Sequence, residues 1–153
     1  MPSQQRQRFS LASAFKAAEQ GQPEIARWVG DFLASRGSDN ATLAAGLAQR
    51  EHWWFGPQRV RVEDLVRLAG PEDEALVPIE EEEWEEDVET MEESIEQGWE
   101  PPPLLAEFQD GRLLLQDGNH RYEAMVRAGE PEAWVLIWFD VEADYERYRA
   151  ANA

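Results

Sequence analysis

The chain contains no cysteine. That absence excludes disulfides, thiolate zinc sites, iron–sulfur clusters and cysteine nucleophiles, and closes a large part of redox and covalent chemistry. Lysine is scarce too: of 14 basic residues only Lys16 is not arginine, a bias that, with the abundant alanine, points to a GC-rich bacterial genome. No apolar run approaches the roughly 18 residues that a membrane-spanning helix needs, and MPSQQRQRFSLASAF lacks the apolar segment of a secretory signal. A soluble, cytoplasmic protein is expected. Its 153 residues are one domain's worth of chain.

Positive charge is missing from one half in particular. Of the net charge of −18, residues 1–70 carry +2 and residues 71–153 carry −20. A surface of that sign repels phosphate backbones, so DNA or RNA binding by the carboxyl-terminal half is disfavoured. The plainest role of such acidity is solubility; recruitment of a basic partner or a divalent metal is the specific alternative.

What the sequence does contain divides near residue 70. From Ser10 to Ala69 the spacing predicts helices: one through Phe15 and Ala18, a second opened by Pro23 with Ile25, Trp28, Val29, Phe32 and Leu33 on one face, a third capped by Ser38-Asp39-Asn40, and a fourth over Val62–Leu68. His52-Trp53-Trp54-Phe55 is read as an aromatic core cluster ending this all-helical subdomain, residues 1–70. From residue 71 to 153 strands and helices alternate. The prediction is a strand at Ala75–Ile79, a helix over Glu80–Gln97 with Trp84, Val88, Met91 and Ile95 as its apolar stripe, and a hairpin of Leu104–Phe108 and Arg112–Leu115 turned by Asp110-Gly111. A helix over His120–Ala128, a buried strand at Trp134–Phe139 and a closing helix from Asp140 to Ala150 complete an α+β domain with a small mixed sheet.

The sharpest motif is Asp117-Gly118-Asn119-His120-Arg121 at a strand-to-helix junction. A helix amino terminus presents unpaired N–H groups, Gly118 permits a backbone conformation that other residues resist, and an arginine fork matches phosphate. The five residues therefore read as an anion cradle, or alternatively as an ordinary Asp-Gly turn with Arg121 paired to an acid.

From Leu76 to about Tyr148 the order of strand, acidic helix, Pro101-Pro102-Pro103, hairpin, Asp-Gly-Asn-His-Arg helix and apolar strand resembles the ParB/sulfiredoxin nucleotide-binding superfamily. The resemblance implies that Gly118, Asn119, His120 and Arg121 contact nucleotide phosphates. Sulfiredoxins carry a catalytic cysteine where Asn119 stands, so sulfinic acid reduction is excluded. Their ATP-binding Lys and two hydroxyls on the preceding helix correspond to Asp87, Thr90 and Ser94, which keep the hydroxyls and lose the Lys. The free serine kinase branch is closer in motif style. It implies that Asp117 orients Mg²⁺ or the acceptor hydroxyl, that His120 and Arg121 neutralise the transferred phosphate and that one of Glu82, Glu85 and Glu86 is the base, while Asp87 in place of the Lys implies a Mg²⁺ bridging carboxylate and phosphate. The expectation is a protein that binds a nucleoside tri- or diphosphate with Mg²⁺ and, if catalytic, is a phosphotransferase acting on a small acceptor or an NTP hydrolase. The alternatives are a non-catalytic regulatory or partner-binding module and, third, a ParB-type DNA partition or nuclease accessory.

Overall fold

The computed structural model describes residues 9–35, 40–67, 69–70, 77–78 and 81–152. Three helices come first: α1 (Leu11–Gln20), α2 (Gln22–Leu33) and α3 (Ala41–Leu47). Each begins at a start signal. Ser10 and Ser13 form a reciprocal capping box at α1, Pro23 sits in the first turn of α2, and the Asn40 side chain accepts a hydrogen bond from the Leu43 N–H at α3.

The expectation of helix up to residue 70 fails beyond α3. Trp53–Arg61 is a nine-residue strand, β1, followed by a single 3-10 turn at Val62–Asp64 and by β2 (Leu65–Arg67), where a fourth helix is predicted. The cause is tertiary: β1 pairs antiparallel with a later strand, β7 (Glu132–Phe139), from Trp53 opposite Phe139 to Arg61 opposite Glu132. An aromatic run suits a half-buried pleated surface as well as a helix end, and the available partner strand decides between them. The remaining elements are β3 (Ala69–Gly70), β4 (Val77–Pro78), α4 (Glu81–Glu96), β5 (Leu104–Gln109), β6 (Arg112–Asp117), α5 (Asn119–Arg127) and α6 (Glu142–Ala151). From β4 onward these agree with the predicted carboxyl-terminal series to within a few residues, whereas β3 was not expected. Of the strand expected at residues 75–79, only Val77 and Pro78 fall among the described residues, and they pair with β3.

The five main strands lie in the order β1-β7-β5-β6-β2. β1 with β7 and β5 with β6 are antiparallel, whereas β5 with β7 and β2 with β6 are parallel, so the fold is α+β around a mixed sheet. That sheet draws β1 and β2 from before residue 70 and the other strands from after it, so a boundary at residue 70 cuts through it. Helices cover both faces, and strand alternation assigns the side chains. Leu104 and Ala106 of β5 with Ala133, Val135, Ile137 and Phe139 of β7 face Met125 of α5 and Tyr145 and Tyr148 of α6. Leu105, Leu136, Trp138 and Trp54 face the opposite way, onto Ile25, Val29, Phe32 and Leu33 of α2.

One side chain substitutes for a missing strand. The Gln22 amide accepts from the Trp54 N–H at 2.7 Å and donates to the Trp54 carbonyl at 2.8 Å, satisfying the free edge of β1 at a buried residue. Gln22→Ala leaves both backbone groups without that partner and is expected to cost about 1–3 kcal/mol in urea unfolding. Gln22→Glu, which keeps the acceptor and loses the donor, should fall between that variant and the wild type.

Candidate functional site

The junction singled out in the sequence lies at the end of β6, where Asp117 closes the strand and Asn119 opens α5. Gly118 between them has φ of 100°, in the left-handed region. A Cβ there would lie 2.6 Å from Leu104 Cδ2 and 2.8 Å from an Arg121 Nη2, so glycine is required by both conformation and space.

The geometry turns Arg121 inward. Its side chain is 8% exposed, and its guanidinium donates to the Pro102 and Pro103 carbonyls at 2.9 and 3.1 Å and to Asp117 Oδ2 at 2.8 Å. The Phe32 ring of α2 covers it, with Cζ 5.2 Å from the ring centroid. Burial lowers the Arg121 pKa, and the Asp117 charge and hydrogen bond oppose that shift. Asp117, also buried, uses its second oxygen to accept from Asn40 Nδ2 at 3.1 Å, across 77 residues of sequence. The motif's acid and base therefore form an internal ion pair joining the β6–α5 turn, the proline segment before β5 and the cap of α3.

The other predicted site residues lie on α4 and the open side of α5. His120 Nε2 stands 3.6 Å from Asp87 Oδ2, with side chains 31% and 52% exposed. Asp87 and the turn thus lie side by side. Thr90 is exposed and Ser94 half-buried, and their hydroxyls donate to the Glu86 and Thr90 carbonyls one turn back, the usual local bond of a helical hydroxyl. Glu85, a candidate base, makes a two-pronged ion pair with Arg127 at 2.7 and 2.8 Å, and this pairing holds its carboxyl below the ordinary range. Arg127 also binds Glu123, at 3.0 Å. Glu86 is exposed on α4, and the Glu82 side chain lies outside the described residues. Asp117 and Asp87 do not fit a Mg²⁺ site together: both Asp117 oxygens are taken by N–H donors in the interior, while Asp87 lies on an exposed helix face against an imidazole.

Two clefts flank this framework. The first, of about 500 Å³, is walled by Trp99, Glu100, Pro101 and Pro102 on one side and Arg59, Trp134 and Met125 on others. Arg121 shapes it indirectly, by fixing the Pro102 carbonyl. The second, of about 510 Å³, lies between α2, α3 and the start of β1, with mostly apolar walls and Arg50, Glu51 and His52 at one end.

No protein-family model matches the chain, and no curated protein does. Among solved structures, a Pnob8-like ParB-N domain superposes with a TM-score of 0.40 at 22% identity, over 65% of this chain. The match spans about a third of that solved chain, 34%.

A polar cluster beside the second cleft was not legible as a site in the sequence. His52, 8% exposed and read as aromatic core, has Nδ1 2.8 Å from Asp140 Oδ1, and Arg50 approaches the same oxygen at 3.1 Å. Despite that short separation, neither ring nitrogen nor Oδ1 has a partner in hydrogen-bonding geometry. Glu107, opposite Trp138 on β5, accepts from Gln116 at 3.2 Å, and burial foremost, then Asp140, raises its carboxyl above the ordinary range. Only strand register could have disclosed it: β7 sets Trp138 beside Trp54 on one side and beside Glu107 on the other.

Arg121→Ala strands Asp117 in the interior and is expected to cost about 3–5 kcal/mol in urea unfolding. Replacing the pair together, by Asp117→Leu with Arg121→Met, should cost less than Arg121→Ala alone. Wild-type stability in Arg121→Ala would contradict the internal role.

Proposed function

We propose that this chain is a ParB/sulfiredoxin-like binding module that does not transfer phosphate. One observation carries the reading: the arginine of the phosphate-type turn is consumed by two carbonyls and a carboxylate within the fold. A group so engaged organises the turn and the wall of the adjacent cleft, and meeting a phosphate would require breaking a buried ion pair. Candidate bases and hydroxyls point the same way, since Glu85 is neutralised by Arg127 and Thr90 and Ser94 bond to their own helix. The acidic face of α4 adds repulsion against an unscreened polyphosphate.

A nucleotide carrying its own Mg²⁺ is the second reading. It is favoured by the amino terminus of α5, where His120 is one-third exposed and backed by Asp87. In that reading His120 would donate to phosphate, the metal borne by the nucleotide would screen Asp87, and Arg121 would hold the turn from beneath. The acceptor site and general base of a phosphotransferase have no place in it.

A thermal-shift panel of ATP, ADP, CTP and GTP with and without Mg²⁺, read together with phosphorus NMR of the same mixtures, separates these outcomes. The module reading expects every nucleotide to remain intact, with or without free serine as acceptor. A Mg²⁺-dependent shift that is lost in His120→Ala, again without turnover, would support the second reading. Hydrolysis or transfer above the protein-free rate would contradict both.

A further inference from the structure

We propose, resting on the module reading above, that the cleft beside the proline segment binds the arginine side chain of a basic peptide from a partner protein. Three features of that cleft, each set by a different part of the sequence, call for a cation.

The first is the way two helices stop. α4 and α5 both end at a glycine of positive φ, Gly98 at 99° and Gly129 at 80°. In each case the glycine N–H bonds three residues back, to the Ile95 and Val126 carbonyls. The next N–H bonds five back, from Trp99 to Ser94 and from Glu130 to Met125, with all four bonds at 2.9 to 3.1 Å. The two stops deliver Trp99 and Glu130 to the walls of one cleft. They also bring the carboxyl ends of both helices to its border, where aligned peptide dipoles leave partial negative charge. Neither helix meets that charge itself: the last turn of α4 has no basic residue, and Arg127 of α5 is held by Glu85 and Glu123.

The second feature is the charge of the lining, where Glu100, Glu130 and Glu132 face one cation, Arg59. Glu132 pairs with Arg59 at 3.1 Å, whereas Glu100 and Glu130 are exposed and have no cation partner among the described residues. Glu96, between the lining residues Ile95 and Gly98, is exposed and continues the same sign, which extends the complementarity from a lone cation to a basic segment.

The third is that the cleft already seats a guanidinium. The register of β1 and β7 sets Arg59 opposite Trp134, and its Cζ stands 5.7 Å from the indole centroid while Glu132 holds the Nη2 edge. An indole with a carboxylate suits a planar guanidinium better than a compact ammonium. Trp99, Glu100 and Glu130 repeat those two group types on the remaining walls. No three carboxylates or imidazoles among the described residues stand close enough to hold a metal ion, so the charge suits an organic cation. A volume of about 500 Å³ is ample for an arginine and its neighbours in a peptide. The Pro102 wall is fixed from behind by Arg121, which ties the cleft to the buried ion pair.

Titration of the full chain with short capped peptides, read by proton–nitrogen NMR, tests the assignment. The Trp99 indole signal is identified by its absence in Trp99→Phe, and the Gly98 and Glu130 amides read the same site. A peptide carrying a pair of arginines should shift these signals saturably. Its lysine counterpart should bind more weakly, and its citrulline counterpart, alike in shape but uncharged, should leave them unmoved. Glu100→Gln with Glu130→Gln should weaken the arginine peptide about tenfold. Glu89→Gln with Glu142→Gln, which removes as much charge outside the cleft, should change its affinity by less than about twofold. Arg59→Gln, which opens Glu132 and the Trp134 face, should tighten binding, and Arg112→Gln, the same loss of charge at the hairpin, should not. Equal weakening in the two glutamine pairs, or shifts that leave Trp99, Gly98 and Glu130 unmoved, would assign the binding to general attraction by a chain of charge −18 and overturn the proposal. Saturable shifts of these signals with spermidine but not with the arginine peptide would overturn it in favour of a small polyamine. Phosphorus NMR of nucleotide turnover bears on the module reading alone, so turnover in a chain whose Trp99 signal answers to the arginine peptide would overturn that reading and leave the cleft assignment standing.

Discussion

A single buried ion pair organises this molecule. Asp117 ends a strand, Arg121 lies one turn into the helix that follows, and the glycine between them allows the chain to turn tightly enough for the two to meet. Desolvating two charges is costly, and the structure offsets the cost with close acceptors: Pro102 and Pro103 carbonyls for the arginine, and the Asn40 amide for the aspartate. Those partners belong to two further segments, the prolines before β5 and the residue that caps α3. The pair therefore fixes where β5 begins and where α3 is capped, and both cores of the sheet depend on these positions.

This arrangement explains how a phosphate-type motif coexists with an acidic surface. Arg121 answers to the interior, and Arg127 to Glu85 and Glu123, so neither cation of α5 is turned toward a polyanion. Asn119 and His120 are the half-buried polar side chains of the motif, and His120 stands opposite a carboxylate of α4. On the proposed reading, function would reside in the clefts beside the framework rather than in the arginine itself.

Much of the carboxyl-terminal half was readable because each element there has its own punctuation. Asp110-Gly111 marks the hairpin, where both residues take positive φ of 52° and 80°, and the Val88, Met91 and Ile95 stripe buries the expected face of α4. The amino-terminal half misled at β1, since Trp53-Trp54-Phe55 becomes a strand only through pairing with residues some 80 positions later, a non-local cause that periodicity does not carry. At the candidate site, the strand-to-helix junction was legible. The direction of Arg121 was not, because the choice between a phosphate and an internal carboxylate depends on how deep the turn sits. The approach of Arg50 and His52 to Asp140 was hidden for the same reason as β1: the partners are far apart in sequence, and only the sheet brings them together.

The most direct measurement of the central claim is nitrogen-resolved NMR of the arginine guanidinium groups, with Arg121 assigned by its absence in Arg121→Lys. A guanidinium locked to two carbonyls and a carboxylate should show separate, slowly exchanging Nη protons, unmoved by pyrophosphate or Mg²⁺-ATP. Rapidly exchanging, freely rotating Nη groups, or resonances that shift on adding either ligand, would contradict the account and return Arg121 to the role of a phosphate ligand.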